Sequence, residues 1–248
     1  MLQLQHHKLI LIFLLCSAPC WGAAALVGCT NGTSNAVTTV VVTRTTTGGN
    51  LLTLVTAENT DATTTWTVAD SGGTNVWTQA AAGYVADDGS NSRQDIRYVA
   101  NALAITSVTS TFSSSPNSNS GILCEWSGMA TATPLDTSVN IQGSGFITTL
   151  TSGSYTTTNA NDVLIYSVKM TGTVSAPTPG GTGGTYTIPT NGTAGARHSV
   201  QYQIVAATQT TQTTAMSWTS TARATGAFAA FKAAAATHCN TCEMSGSE

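Results

Sequence analysis

"GILCEWSG", residues 121–128, places a cysteine, a glutamate and a tryptophan side by side in a chain otherwise rich in threonine, serine, asparagine and glycine. Read as an extended strand, it points Ile122, Cys124 and Trp126 one way and Leu123, Glu125 and Ser127 the other. Two large apolar neighbours on its own face place Cys124 in a core, where a thiol behaves as a small hydrophobe. A nucleophilic thiolate would need a histidine or another cation beside it. Once an N-terminal leader is removed, the chain offers only His198 and His238, the latter in a polar C-terminal tail. The stretch reads as a buried strand.

The same kind of run recurs on both sides of it. "AVTTVVVT" (36–43), "NLLTLVTAE" (50–58), "TTWTVAD" (64–70), "VWTQAA" (76–81), "QDIRYVA" (94–100) and "TSVTSTFS" (106–113) precede it. "FITTL" (146–150), "DVLIYSVKM" (162–170), "TYTIP" (185–189), "HSVQYQIVA" (198–206), "TAMSWTS" (214–220) and "AFAAFKA" (227–233) follow. Short β-rich runs separated by Gly, Asn, Ser and Thr clusters, with no sustained helical period, predict an all-β chain. The expected architecture is a two-sheet antiparallel β-sandwich, jelly-roll-like. "NLLTLVTAE" is apolar on both faces and belongs at a sheet centre. "AFAAFKAAAA" (227–236) has helix-favouring alanines, but Phe228 and Phe231 among small neighbours also fit a closing strand, which is the reading adopted. "SAPTPGGTGGTYT" (175–187) reads as a long surface loop, so residues 25–236 form a single β-sandwich domain. Residues 237–248 form a flexible, cysteine-containing tail.

The N-terminus, "MLQLQHHKLILIFLLCSAPCWGAAALVGC", has the polar, apolar and small-residue order of a secretory signal peptide, assigned to residues 1–24. Pro19, Gly22 and the alanines make it a poor membrane span. The protein is therefore expected to be secreted. "LVGC" (26–29) also has the form of a lipobox, and the alternative is a lipid anchor at Cys29 on the outer surface. Only 8% of residues are charged, with 8 Lys+Arg against 11 Asp+Glu. Too few cations are present to neutralise a run of phosphates, which argues against nucleic-acid binding.

Several runs together resemble a family of exported bacterial and phage-associated β-sandwich domains, mostly uncharacterised. The resemblance is carried by "GNLL" (49–52), "DSGGTNVW" (70–77), "YVANA" (98–102), "EWSG" (125–128) with "PLD" (134–136), and "TTTNANDVLI" (156–165). The chain departs from that pattern at Gly73-Thr74-Asn75 in the turn and at Trp126, where the family has tyrosine. The resemblance implies a fold and an exported location, and no catalytic residues.

Four cysteines remain after the leader: Cys29, Cys124, Cys239 and Cys242. In an oxidising compartment they suggest disulfides. Cys239–Cys242 is the favoured local pair, and Cys29–Cys124 forms if the first strand lies beside 121–128. A zinc site at His238, Cys239, Cys242 and Glu243 would crowd all its ligands into the tail. Asp70, Asp87 and Asp88 are weak ligand candidates for a structural calcium, the one cofactor considered. Among the carboxylates Glu58, Asp70, Asp95, Glu125, Asp136 and Asp162, Glu125 beside Trp126 is the one most suited to a raised pKa, and an ion pair with Arg97 or Lys169 is its ordinary alternative. No nucleophile–base pair is legible, so the chain is read as non-enzymatic. Trp77, Trp218 and Trp126 are candidate sugar platforms, Trp77 and Trp218 being the ones expected at the surface. The leading function is adhesion or glycan binding outside the cell. A structural subunit that self-associates through charge-poor strand edges is the alternative.

Overall fold

The computed structural model describes residues 23–59, 64–81, 92–172, 174–182, 184–195 and 197–235. The leader up to residue 22, Asp87, Asp88 and the tail with His238, Cys239, Cys242 and Glu243 lie outside the described residues, and with them the expected Cys239–Cys242 pair.

Sixteen strands are present among the described residues, and no helix. The first eight are β1 (Ala25–Ser34), β2 (Thr39–Thr43), β3 (Leu51–Asn59), β4 (Trp66–Asp70), β5 (Thr78–Ala81), β6 (Arg93–Val99), β7 (Ser107–Phe112) and β8 (Ser118–Ser127). The second eight are β9 (Leu135–Gln142), β10 (Ile147–Thr151), β11 (Asp162–Met170), β12 (Thr178–Gly181), β13 (Thr193–Ala194), β14 (His198–Ile204), β15 (Thr214–Ala222) and β16 (Ala224–Lys232). The all-β antiparallel sandwich expected from the sequence is present, but it is built from four sheets rather than two, and the strand orders do not establish a jelly roll. Their orders are β1-β8-β3-β6-β5, β2-β7-β4, β13-β14-β11-β16-β9 and β10-β15-β12.

These orders repeat. Replacing each of β1–β8 by the strand eight places later turns the first five-stranded sheet into the second and the first three-stranded sheet into the second. The register repeats as well. Val55 stands opposite both Ile96 and Ile122, and its counterpart Ser167 stands opposite Val200 and Ala227. One bulge is shared as well: Val27 is the extra residue of β1 beside Trp126, and Asp136 that of β9 beside Phe231, whereas the register shifts in β5 and β10 have no counterpart. Gly121 in β8 and Gly226 in β16 also correspond. A Cβ at Gly121 would come within 2.8 Å of the Val42 side chain, and one at Gly226 within 2.6 Å of the Tyr166 hydroxyl. Residues 25–127 and 135–232 are thus two copies of one eight-stranded unit.

The two five-stranded sheets pack face to face. Leu51, Val55, Ile96, Ile122 and Trp126 of the first meet Val163, Ile165, Val200, Ala227 and Phe231 of the second in one core. Each three-stranded sheet covers the opposite face of its own five-stranded sheet, with Val42 and Val108 against Leu52, Leu54 and Leu123 in the first half. Leu150, Met216 and Trp218 lie against Leu164, Tyr166 and Phe228 in the second. The central contacts come in equivalent pairs, as a two-fold interface requires. Tyr98 meets Phe231 edge-on with ring centroids 5.3 Å apart, and its counterpart Tyr202 meets Trp126 at 5.2 Å.

Several local expectations hold. β3 is central and β16 is a strand. Others are corrected. The run 175–187 contains β12, an edge strand in which Pro179 is tolerated because nothing pairs on its outer side. The expected strand at 185–189 is reduced to a single bridge between Thr187 and Tyr202.

Cys29 and Cys124 stand directly opposite each other on β1 and β8 and are joined, with sulfurs 2.04 Å apart. A sulfur in a disulfide cannot carry a lipid thioether, which removes the anchor at Cys29. The bridge spans 95 residues of sequence. Replacing both cysteines by alanine should cost about 2–4 kcal/mol of unfolding free energy, read from the denaturant midpoint. An unchanged midpoint would mean that the bridge contributes nothing.

Candidate functional site

Among the described residues, those singled out from the sequence do not converge on one site. Glu125 is buried and its carboxylate is fully engaged: Arg44 Nη2 donates at 3.1 Å, Thr47 N at 2.8 Å and Asn50 Nδ2 at 2.7 Å. Its ion partner is Arg44, neither Arg97 nor Lys169. Arg97 pairs instead with Asp95 of its own strand at 2.8 Å. Glu125 therefore pins the β2–β3 connection onto β8. Burial pushes the Asp95 carboxyl up to about 6 against the opposing pull of Arg97 and Trp66.

Of the three candidate tryptophans two are buried and one is half-buried. Trp126 is fully buried and donates its indole N–H to Thr53 Oγ1 at 2.9 Å. Trp218, expected at the surface, is buried and donates to the Ile147 carbonyl at 3.0 Å. Its polar sequence neighbours Ser217 and Thr219 point the other way from the same strand, so they report nothing about its own face. Trp77, also expected at the surface, is half-buried against the first outer core and donates to Asp70 Oδ2 at 3.2 Å. The other oxygen of Asp70 accepts from the backbone of Gly72 and Gly73, both at 2.9 Å. The carboxylate thus closes a turn. Among the described residues no group of three His, Cys, Asp or Glu is placed to hold a metal.

The two halves instead bring together groups that no local motif announced. At one end of the central interface, Gln94, Ser120, Ser167, His198 and Thr225 are all buried between the five-stranded sheets. Hydrogen bonds link these side chains in a row, and the direction of each fixes the next. Gln94 Nε2 donates to the Thr225 carbonyl at 2.6 Å, which fixes the amide, and Gln94 Oε1 accepts from Ser167 Oγ at 2.7 Å. With its proton so committed, Ser167 Oγ accepts from His198 Nε2–H at 3.0 Å. His198 Nδ1 then accepts the Ser120 hydroxyl at 2.8 Å. The chain also obeys the two-fold relation: Gln94 with Thr225 in one sense is His198 with Ser120 in the other.

This arrangement resembles a serine–histidine dyad in connectivity, but the imidazole is a poor base. Burial, and then the neighbouring Lys169 charge, hold the His198 pKa well below its usual value. The neutral ring with one donor and one acceptor is what the network needs.

Just outside this network lies a cavity of about 380 Å³. Thr33 reaches it from the end of β1, Asn35 from the β1–β2 turn, and Ser118 and Ser120 from the start of β8. Lys169, at the end of β11, and Arg197, just before β14, come from the second half. Donors from both halves therefore converge on one concave, mostly polar site. Comparison with known proteins finds no matching family, no similar curated protein and no similar solved structure.

The His198 arrangement carries a pH signature. The unfolded imidazole takes up a proton below about pH 6.5 and the folded one does not, so the stability contributed by His198 is lost as pH falls below that value. His198→Gln copies the residue at the equivalent position of the first half, Gln94. The variant should remain folded and lose less stability than the wild type between pH 6.5 and 5. The gap should approach the about 1.4 kcal/mol per pH unit of one proton. Parallel stability–pH curves would show that His198 is not held neutral.

Proposed function

We propose that this protein is an exported, non-enzymatic β-sandwich module that binds a glycan outside the cell, in the cavity where the two halves meet. The observation that carries this reading is the convergence there of hydroxyl, amide and cationic donors on a concave surface, the lining that sugar hydroxyls require. The Cys29–Cys124 disulfide is in keeping with an oxidising compartment. Among the described residues, no helix is long and apolar enough to cross a membrane. The resemblance of "EWSG", "PLD" and the other quoted runs to exported sandwich domains supports the same location.

Self-association into a coat or filament is the second reading, favoured by one observation. The edge strands β2, β10 and β12 carry no charged residue, and charge is the usual guard against edge-to-edge pairing.

The full chain, exported to an oxidising compartment, should co-sediment with at least one member of a panel of insoluble polysaccharides. Thr33 is exposed at the cavity mouth. Thr33→Trp should fill the cavity and weaken that binding at least tenfold while leaving the unfolding transition in place. Sedimentation of the protein alone, rising with its concentration, would favour the structural subunit. A soluble protein that ignores every polysaccharide would remove the glycan reading.

A further inference from the structure

The charged lining of the inter-half cavity is of one sign. Lys169 and Arg197 line it, and none of the described lining residues is a carboxylate. Lys169 is 1% exposed, so its ammonium has given up nearly all of its water. Burial, and then the nearby Arg197 charge, lower its pKa to about 8, while Glu58 works in the opposite direction. At neutral pH the group therefore remains mostly a cation. A buried ammonium is costly unless neighbouring groups replace its hydration. Glu58 offers one negative charge against the two of Lys169 and Arg197, and a net positive charge faces the cavity. Around it Thr33, Asn35 and Ser118 supply neutral hydrogen-bonding groups suited to a sugar rather than to a bare ion.

We propose that the glycan taken by this cavity is acidic, with a carboxylate or sulfate seated between Lys169 and Arg197 and its hydroxyls turned toward Thr33, Asn35 and Ser118. The proposal rests on the glycan-binding reading and narrows it to one class of sugar. A guanidinium holds a carboxylate or sulfate through a two-point fork, and the buried ammonium adds a charge that salt screens weakly. The anion also replaces hydration that Lys169 lost on folding.

The test is calorimetric titration of the full-length exported protein with four probes. These are tetragalacturonate, its fully methyl-esterified form, a sulfated chondroitin tetrasaccharide and an oligoglutamate of matching charge. The expected result is binding of at least one acidic saccharide, with the neutral ester and the oligoglutamate each at least tenfold weaker. Arg197 is only half-buried. Arg197→Gln should therefore fold normally and lose at least tenfold in affinity for the acidic saccharide. Lys169→Met, which retains the buried aliphatic stem, should lose a similar factor. Equal binding of acid and ester, insensitive to Arg197→Gln but abolished by Thr33→Trp, would overturn the acidic preference and leave glycan binding standing. Oligoglutamate binding as tightly as the saccharide would keep the anion site and overturn the glycan reading. Failure of all the acidic probes to bind would overturn the proposal.

Discussion

The central five-stranded sheets are apolar on both faces, and the rest of the structure follows from that constraint. β3, β8, β11 and β16 are buried along nearly their whole length. A sheet of this kind needs a cover on each side. Its own three-stranded sheet supplies one cover, and the five-stranded sheet of the other half supplies the second. Neither half can satisfy itself, since its inner face carries side chains such as Leu51, Ile96 and Trp126, or Val163, Val200 and Phe231. Burial of each such side chain is worth roughly 1.5–3 kcal/mol relative to exposure, which sets the scale of what the interface contributes.

An interface built only from such residues would be strong but indifferent to register. At one end it is polar, and there donors and acceptors are matched in a row: Ser120 to His198, His198 to Ser167, Ser167 to Gln94 and Gln94 to Thr225. A slip of either sheet by one residue would strand several of these groups without partners in a dry environment, at about 1–3 kcal/mol each. The apolar contacts supply the attraction, and the polar end chooses the alignment. The cavity next to it exists because both halves end there.

Much of the local structure was legible from residue order. "GILCEWSG" alternates as a strand should, Cys124 faces the core, and "NLLTLVTAE" and "AFAAFKA" are buried strands. The duplication was not legible, because the equivalent strands share little beyond Arg-x-x-apolar-x-Tyr at Arg93–Tyr98 and Arg197–Tyr202. Fold repetition is preserved by register and by complementary volumes, and neither requires the same residues. Ile122, Cys124 and Trp126 in β8 correspond to Ala227, Ala229 and Phe231 in β16. β9 was missed because it is only half-buried along its length and shows no apolar alternation. The candidate site failed to appear for a related reason. Lys169, Arg197, Thr33 and Ser118 come from distant parts of the chain and meet only through the packing of the two halves. The motif with the most chemistry in it, Cys124-Glu125-Trp126, is spent on a disulfide, a loop anchor and a core ring.

The doubled unit also changes what single substitutions can do. Two identical units associating through the same face would carry every residue twice, once on each side of the axis. A lysine at the position of Lys169 would then be matched by another at Ala57, and a histidine facing Ser120 by one facing Thr225. Joined in one chain, the copies can differ. One keeps alanine and glutamine at these places while the other carries lysine and histidine. Covalent linkage has thus released the molecule from its own symmetry, so that a charge too costly to install in duplicate can be placed once, at one end of the seam.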